Sequence, residues 1–155
     1  MWWRRFRYVL LLIALCSIAT CPAAKRACTA KRRAKEADQL LEYLADRVEA
    51  SITATGHVPG TAAGPTPLPT CCEVGGTCEP DPATWATPGW QALQFSIDGE
   101  YRYTYSYQPD ASGRSAVVRA IGDLDCDGTA STYELEIRIE GTGVTRTWTR
   151  TQPYE

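Results

Sequence analysis

Histidine is nearly missing from this chain, with His57 alone among 155 residues. A Ser-His-Asp triad and a His-rich metal site are both disfavoured by that scarcity. Basic residues are also thin beyond residue 50, where six Lys/Arg stand against 13 Asp/Glu. That part lacks the positive surface that phosphate binding needs, so nucleic acid is not an expected partner. Residues 1–50 have the opposite balance, with ten Lys/Arg against five Asp/Glu, and the whole chain nets −2. The split suggests two parts in different environments, one facing a membrane and one solvated. No nucleophile with a partnered base stands out, so the chain reads as a non-enzyme. Hydrophobic residues at 44% and charged residues at 22% fit one globular domain with an appended segment.

The appended segment is residues 1–24. Tyr8 to Ala24 holds 17 uncharged residues, the lower limit for crossing a core of about 30 Å at about 1.5 Å per residue. Trp2, Trp3 and Phe6, interleaved with Arg4, Arg5 and Arg7, make an interfacial anchor before it. Three outcomes fit: a signal peptide cut near Ala19 or Ala24, a lipoprotein signal with lipid on Cys21, or a retained membrane helix. Retention is favoured because turn signals are missing from Lys25 through Ile52. Leu40, Leu41, Leu44, Val48 and Ile52 fall at helical spacing, with Glu42, Asp46 and Glu49 on the solvent side. Lys25 to Lys35 is basic and Ala-rich, suited to the headgroup layer. Residues 25–55 therefore read as an amphipathic helix continuing the anchor, ended by Gly56 and Pro59.

Residues 56–89 are rich in Pro, Gly and Thr and show no periodicity. Cys71, Cys72 and Cys78 lie within this loop and Cys126 lies downstream, a disulfide pattern for an oxidising compartment. Four cysteines allow three pairings. A vicinal Cys71–Cys72 bridge is uncommon, so each of these two is expected to bond Cys78 or Cys126.

Residues 90–155 read as β. Trp90–Ile97 and Glu100–Tyr107 flank Asp98-Gly99, a two-residue hairpin signal. Tyr101, Tyr103, Tyr105 and Tyr107 share one face of the second run. Ser115–Ile121, Tyr133–Glu140 and Val144–Arg150 complete an antiparallel meander with one wet face. The helix is the only cover for the apolar face, so the expected fold is α+β, a long N-terminal helix on a sheet of four to five strands.

Between the third and fourth runs, Asp123-Leu-Asp-Cys-Asp127-Gly128 continues to Glu134 and matches D-x-D-x-D-G-x5-E at every specified position. Alternate carboxylates on a tight turn converge on one point, where a hard cation takes six to eight oxygens. Asp123, Asp125, Asp127, the carbonyl of Thr129, and Ser131 or Glu134 are the candidate ligands of a structural Ca2+. Strands rather than helices flank the loop, unlike an EF-hand. Without metal it would serve as an Asx-turn between strands.

In its order of parts the chain resembles type IV pilins and type II secretion pseudopilins. The resemblance covers nearly the whole chain. Ile18-Ala-Thr-Cys-Pro22 before a basic, Ala-rich stretch is similar to the pilin helix, and Thr55-Gly56-His57-Val58-Pro59 to the pilin helix exit. Trp90-x-x-Leu93-x-Phe95, the Tyr-rich strand and Gly122 to Tyr133 resemble pilin-like proteins of deltaproteobacterial type. The resemblance implies a pilin-like fold and a structural subunit in the inner membrane, its domain in the periplasm or outside. The partners it implies are like subunits or assembly-platform proteins, met through the N-terminal helix. The opening Met1-Trp-Trp-Arg-Arg-Phe-Arg lacks the leader Gly and the Glu motif of prepilins, which implies a diverged minor or membrane-retained relative. A secreted or lipid-anchored, calcium-stabilised binding module without a filament role is the competing reading.

Overall fold

A computed structural model describes residues 2–154, with side chains described from Cys28 onward. Helix α1 (Trp2–Thr55) comes first, followed by a long irregular stretch and a five-stranded sheet. The strands are β1 (Ala63–Thr66), β2 (Thr104–Pro109), β3 (Ser115–Gly122), β4 (Ser131–Glu140) and β5 (Gly143–Thr151). They lie in sequence order, every neighbour antiparallel. A short helix α2 (Pro88–Leu93) precedes β2.

Period-3.6 spacing explains how α1 meets the sheet. Ala37, Leu41, Leu44, Ala45 and Val48 are fully buried, and Leu40 and Ile52 are partly covered. This stripe packs over β3 and β4, whose inward residues Val118, Ala120, Leu135 and Ile137 are also fully buried. Each such Leu or Ile contributes roughly 1.5–3 kcal/mol relative to exposure. Ala34 is the first buried residue of α1 among those described, so the domain takes hold of the helix there.

The acidic row beside that stripe is not left to solvent as its spacing suggested. Arg146 on β5 reaches three of its carboxylates, Glu49 at 2.6 Å, Asp46 at 2.6 Å and Glu42. Trp148 Nε1 donates to Glu42 at 3.1 Å, and Arg150 pairs with Asp38 at 2.8 Å. Hydrogen bonding to Glu49 leads in raising the Arg146 pKa above its ordinary value.

The fold read from the sequence needs correction. The part of α1 with described packing is Cys28–Thr55, and the sheet opens on β1, from within the stretch expected to be loop. Trp90–Ile97 is not a strand, and Asp98-Gly99 closes no hairpin. Pro88 at the start of α2 and the Trp90/Leu93 spacing favour a helical turn instead, burying both side chains on one face. Gly89 allows this placement, because a Cβ there would sit 2.2 Å from the Ala62 carbonyl oxygen. The chain is α+β in the broad sense, with a sheet composed differently from the one expected.

Two disulfides hold the irregular stretch, Cys71–Cys78 and Cys72–Cys126. Inside it, Trp85 packs edge-on against Trp90, Phe95 and Tyr101 at ring-centroid distances of 5.4–5.7 Å. The Trp90 indole N–H donates to Thr66 Oγ1 at 2.9 Å, joining α2 to β1. Tyr101 and Tyr103 precede β2, yet they are as buried as Tyr105 and Tyr107 within it.

Candidate metal centre

The loop from Asp123 to Ala130 joins β3 to β4. One carboxylate organises the turn from within. Asp123 accepts from the backbone N–H of Asp127 at 3.2 Å and of Gly128 at 2.8 Å, while Asp127 accepts from Thr129 N–H at 2.8 Å. The chain turns sharply at Cys126 (φ 61°) and Gly128 (φ 95°), and glycine takes the second left-handed position without a Cβ penalty. Asp123, Asp125 and Asp127 each present a carboxylate oxygen within 4.8 Å of the others. Asp123 is half-buried; Asp125 and Asp127 are exposed.

Three contacts fix the loop from outside. Leu124 is buried, and its carbonyl accepts from Arg33 Nη1 of α1 at 2.7 Å. Cys126, set between Asp125 and Asp127, is bonded to Cys72. At the loop's far side, buried Ser131 donates to the Gly122 carbonyl at 2.8 Å. Gly122 lies against the Tyr103 ring, where a Cβ would come within 2.6 Å.

Of the six ligands read from the sequence, the three aspartates come together. Thr129 follows directly, its N–H held by Asp127. Ser131 is committed to the strand junction. Glu134 lies on β4 opposite Arg119 and forms an ion pair with it. A cation on this loop would therefore take three carboxylates and fill its remaining positions with carbonyl and water oxygens, an oxygen-only set that suits Ca2+.

A second polar cluster joins α1 to the strand region and was not read from the sequence. Glu36 Oε1 accepts from Arg102 N–H at 2.7 Å and Tyr105 Oη at 3.2 Å, and the Arg102 guanidinium lies 3.4 Å from Oε2. Burial raises the Glu36 pKa above its ordinary value, against the opposing pull of these donors. The signal was present: Glu36 lies four residues before Leu40, a carboxylate in line with an apolar stripe.

Among the described residues no helix is long and apolar enough to cross a membrane. The expected anchor at residues 1–24 and the candidate lipid-bearing Cys21 fall outside the described side chains. No family model, curated protein or solved structure matches the chain.

Proposed function

We propose that the protein is a pilin-like structural subunit, anchored by its apolar N-terminus in the inner membrane of a bacterial envelope. Its domain stands in the periplasm or outside, in a pilus- or type II secretion-type assembly. The observation that carries this reading is the shared helix. The basic-flanked apolar run and the face that packs on β3 and β4 belong to one element, α1 (Trp2–Thr55). A domain seated on the continuation of its own anchor is suited to lateral packing of helices in an assembly. The two disulfides favour an oxidising compartment. Like subunits or assembly-platform proteins would meet the chain along the N-terminal part of α1. Fractionation tests the anchor: the full chain should sediment with membranes, and deletion of residues 1–24 should release a soluble, disulfide-bonded domain. Intact protein in a detergent-free periplasmic extract, or cut near Ala24, would sink it.

The converging Asp123, Asp125 and Asp127 favour a structural Ca2+, a feature shared with the reading of a calcium-stabilised binding module. Such an ion binds only the folded loop, so EDTA should lower the melting temperature by several degrees and excess Ca2+ should restore it. An unchanged melt would leave the loop an Asx-turned connection.

A further inference from the structure

The two edges of the sheet are built differently. β1 has only four residues, and Pro65 within it has no N–H to offer a further strand. β5 has nine residues, with Thr145, Thr147, Thr149 and Thr151 exposed on the outer face. Inward from these, Arg146, Trp148 and Arg150 lie opposite Ile137, Leu135 and Tyr133 of β4.

Register identifies which backbone groups face outward. Gly141-Thr142 is a two-residue turn closed by the pair Glu140↔Gly143, which in such a hairpin is a hydrogen-bonded pair. Alternation then makes 138–145, 136–147, 134–149 and 132–151 hydrogen-bonded pairs as well. The N–H and C=O groups of Val144, Arg146, Trp148 and Arg150 point away from β4, at the open edge. Helix α1 packs over β3 and β4, and its acidic side chains reach Arg146, Trp148 and Arg150 of β5 on the inner face of the sheet. The tail leaves the strand line at Gln152 (φ 47°), and the Pro153 carbonyl accepts from Tyr133 Oη.

Residues 145–151 read Thr-Arg-Thr-Trp-Thr-Arg-Thr, the same in both directions. We infer that β5 pairs antiparallel with β5 of a second copy of this chain, about a two-fold axis at Trp148. That axis sets Trp148 against its own mate, Arg146 against Arg150, Thr147 against Thr149 and Thr145 against Thr151. It also satisfies the parity, since residues with outward backbone groups meet one another. Three hydrogen-bonded pairs supply about six main-chain hydrogen bonds, at two per pair. Threonine meets threonine along the outer face, a favourable cross-strand pair.

Arginines on an edge ordinarily discourage pairing. Here their charge is already met within each copy, Arg146 by Glu42, Asp46 and Glu49, and Arg150 by Asp38. Asp46 stays 66% exposed, so part of that acidic row remains open to solvent. Such isologous pairing closes on itself as a dimer with one continuous ten-stranded sheet. The inference uses a surface separate from the N-terminal helix and does not depend on the assembly proposed above.

Light scattering on the full chain in a mild non-ionic detergent gives the protein mass and its concentration dependence. The wild type should be a dimer. Arg150→Ala removes the side chain and leaves the edge N–H, whereas Arg150→Pro removes that N–H while leaving the bonds to β4. Arg150→Pro should associate at least about ten-fold more weakly than Arg150→Ala, with both still folded by circular dichroism. A monomeric wild type, or equal association by the two variants, overturns the inference. An oligomer made through α1 would give that equality. If Arg150→Pro fails to fold, Trp148→Cys tests the axis: paired Cα atoms about 5.5 Å apart are within disulfide reach. With Cys16, Cys21 and Cys28 replaced by Ser, oxidation should give a covalent dimer from Trp148→Cys and none from Thr145→Cys, whose mate is Thr151. Equal dimer yields from the two cysteine variants would likewise overturn it.

Discussion

Residues 56–103 and residues 104–151 are equal in length and both bury aromatic residues, by different means. The second region is a ladder in which each strand from β2 to β5 is hydrogen-bonded along its length to the next. In the first, the four residues of β1, two short 3-10 turns and α2 are the only regular pieces. Two disulfides and the ring cluster around Trp85 and Trp90 hold it together instead. Where the backbone does not satisfy itself in a ladder, covalent links and large side chains limit the number of arrangements. The first region should therefore fail by reduction, and the second by loss of packing.

The largest effect is expected from opening Cys72–Cys126, which spans 54 residues. By loop-closure entropy, Cys72→Ser with Cys126→Ser should cost about 4 kcal/mol, against about 2.5 kcal/mol for opening Cys71–Cys78. Urea unfolding measures both. Hydrogen exchange should then show β3–β5 amides protected while residues 56–103 exchange faster. Uniform loss across the two regions would erase the contrast.

Next comes Leu135→Ala at the centre of the ladder, where a fully buried side chain meets the α1 stripe. A loss of about 3 kcal/mol is expected from transfer and cavity terms, again by urea unfolding. Arg146→Ala, which releases three carboxylates of α1, should cost about 1–2 kcal/mol, and less at high salt.

The smallest effect concerns pH at the Glu36 junction of the two regions. Its folded pKa lies above the ordinary 4.5 because the carboxyl is buried. A raised folded value contributes stability that is complete below the unfolded pKa and is lost as pH rises through the folded one. The urea midpoint of the wild type relative to Glu36→Gln should therefore fall as pH rises from about 4.5 through the raised value. Asp110, in the turn between β2 and β3, works at the other end. Ser112 leads the donors that hold its pKa down to about 2, so what it contributes is present above 3.8 and lost as pH falls toward 2. A midpoint difference that stays flat from pH 4.5 upward would remove Glu36 from this account.

The ladder was the legible part. Alternation in Ser115–Ile121, Tyr133–Glu140 and Val144–Arg150 places strands within a residue or two of β3, β4 and β5. The Leu41, Leu44 and Val48 stripe likewise marks the buried side of α1. The first region misled because its aromatics alternate like a strand for a different reason. Tyr101 and Tyr103 are buried by a ring cluster and a close glycine, and period two does not distinguish that from pleating. β1 carries no period at all, since Ala63-Gly-Pro-Thr66 reads as turn chemistry and pairs only because Tyr105 and Tyr107 offer it an edge. In the Asp-rich loop the convergence of three carboxylates was readable from spacing. The commitments of Ser131 to Gly122 and Glu134 to Arg119 depend on cross-strand register, which no local pattern carries.

The contacts of α1 with β5 also set how the molecule would bear a mechanical pull. From Asp38 to Glu49 the helix advances about 16 Å, and its partners step back from Arg150 to Arg146 over about 14 Å of strand. Helix and strand thus run side by side in opposite directions. Tension drawn along α1 would strain these ion pairs and the apolar stripe together, in shear, rather than opening them one after another like a zip.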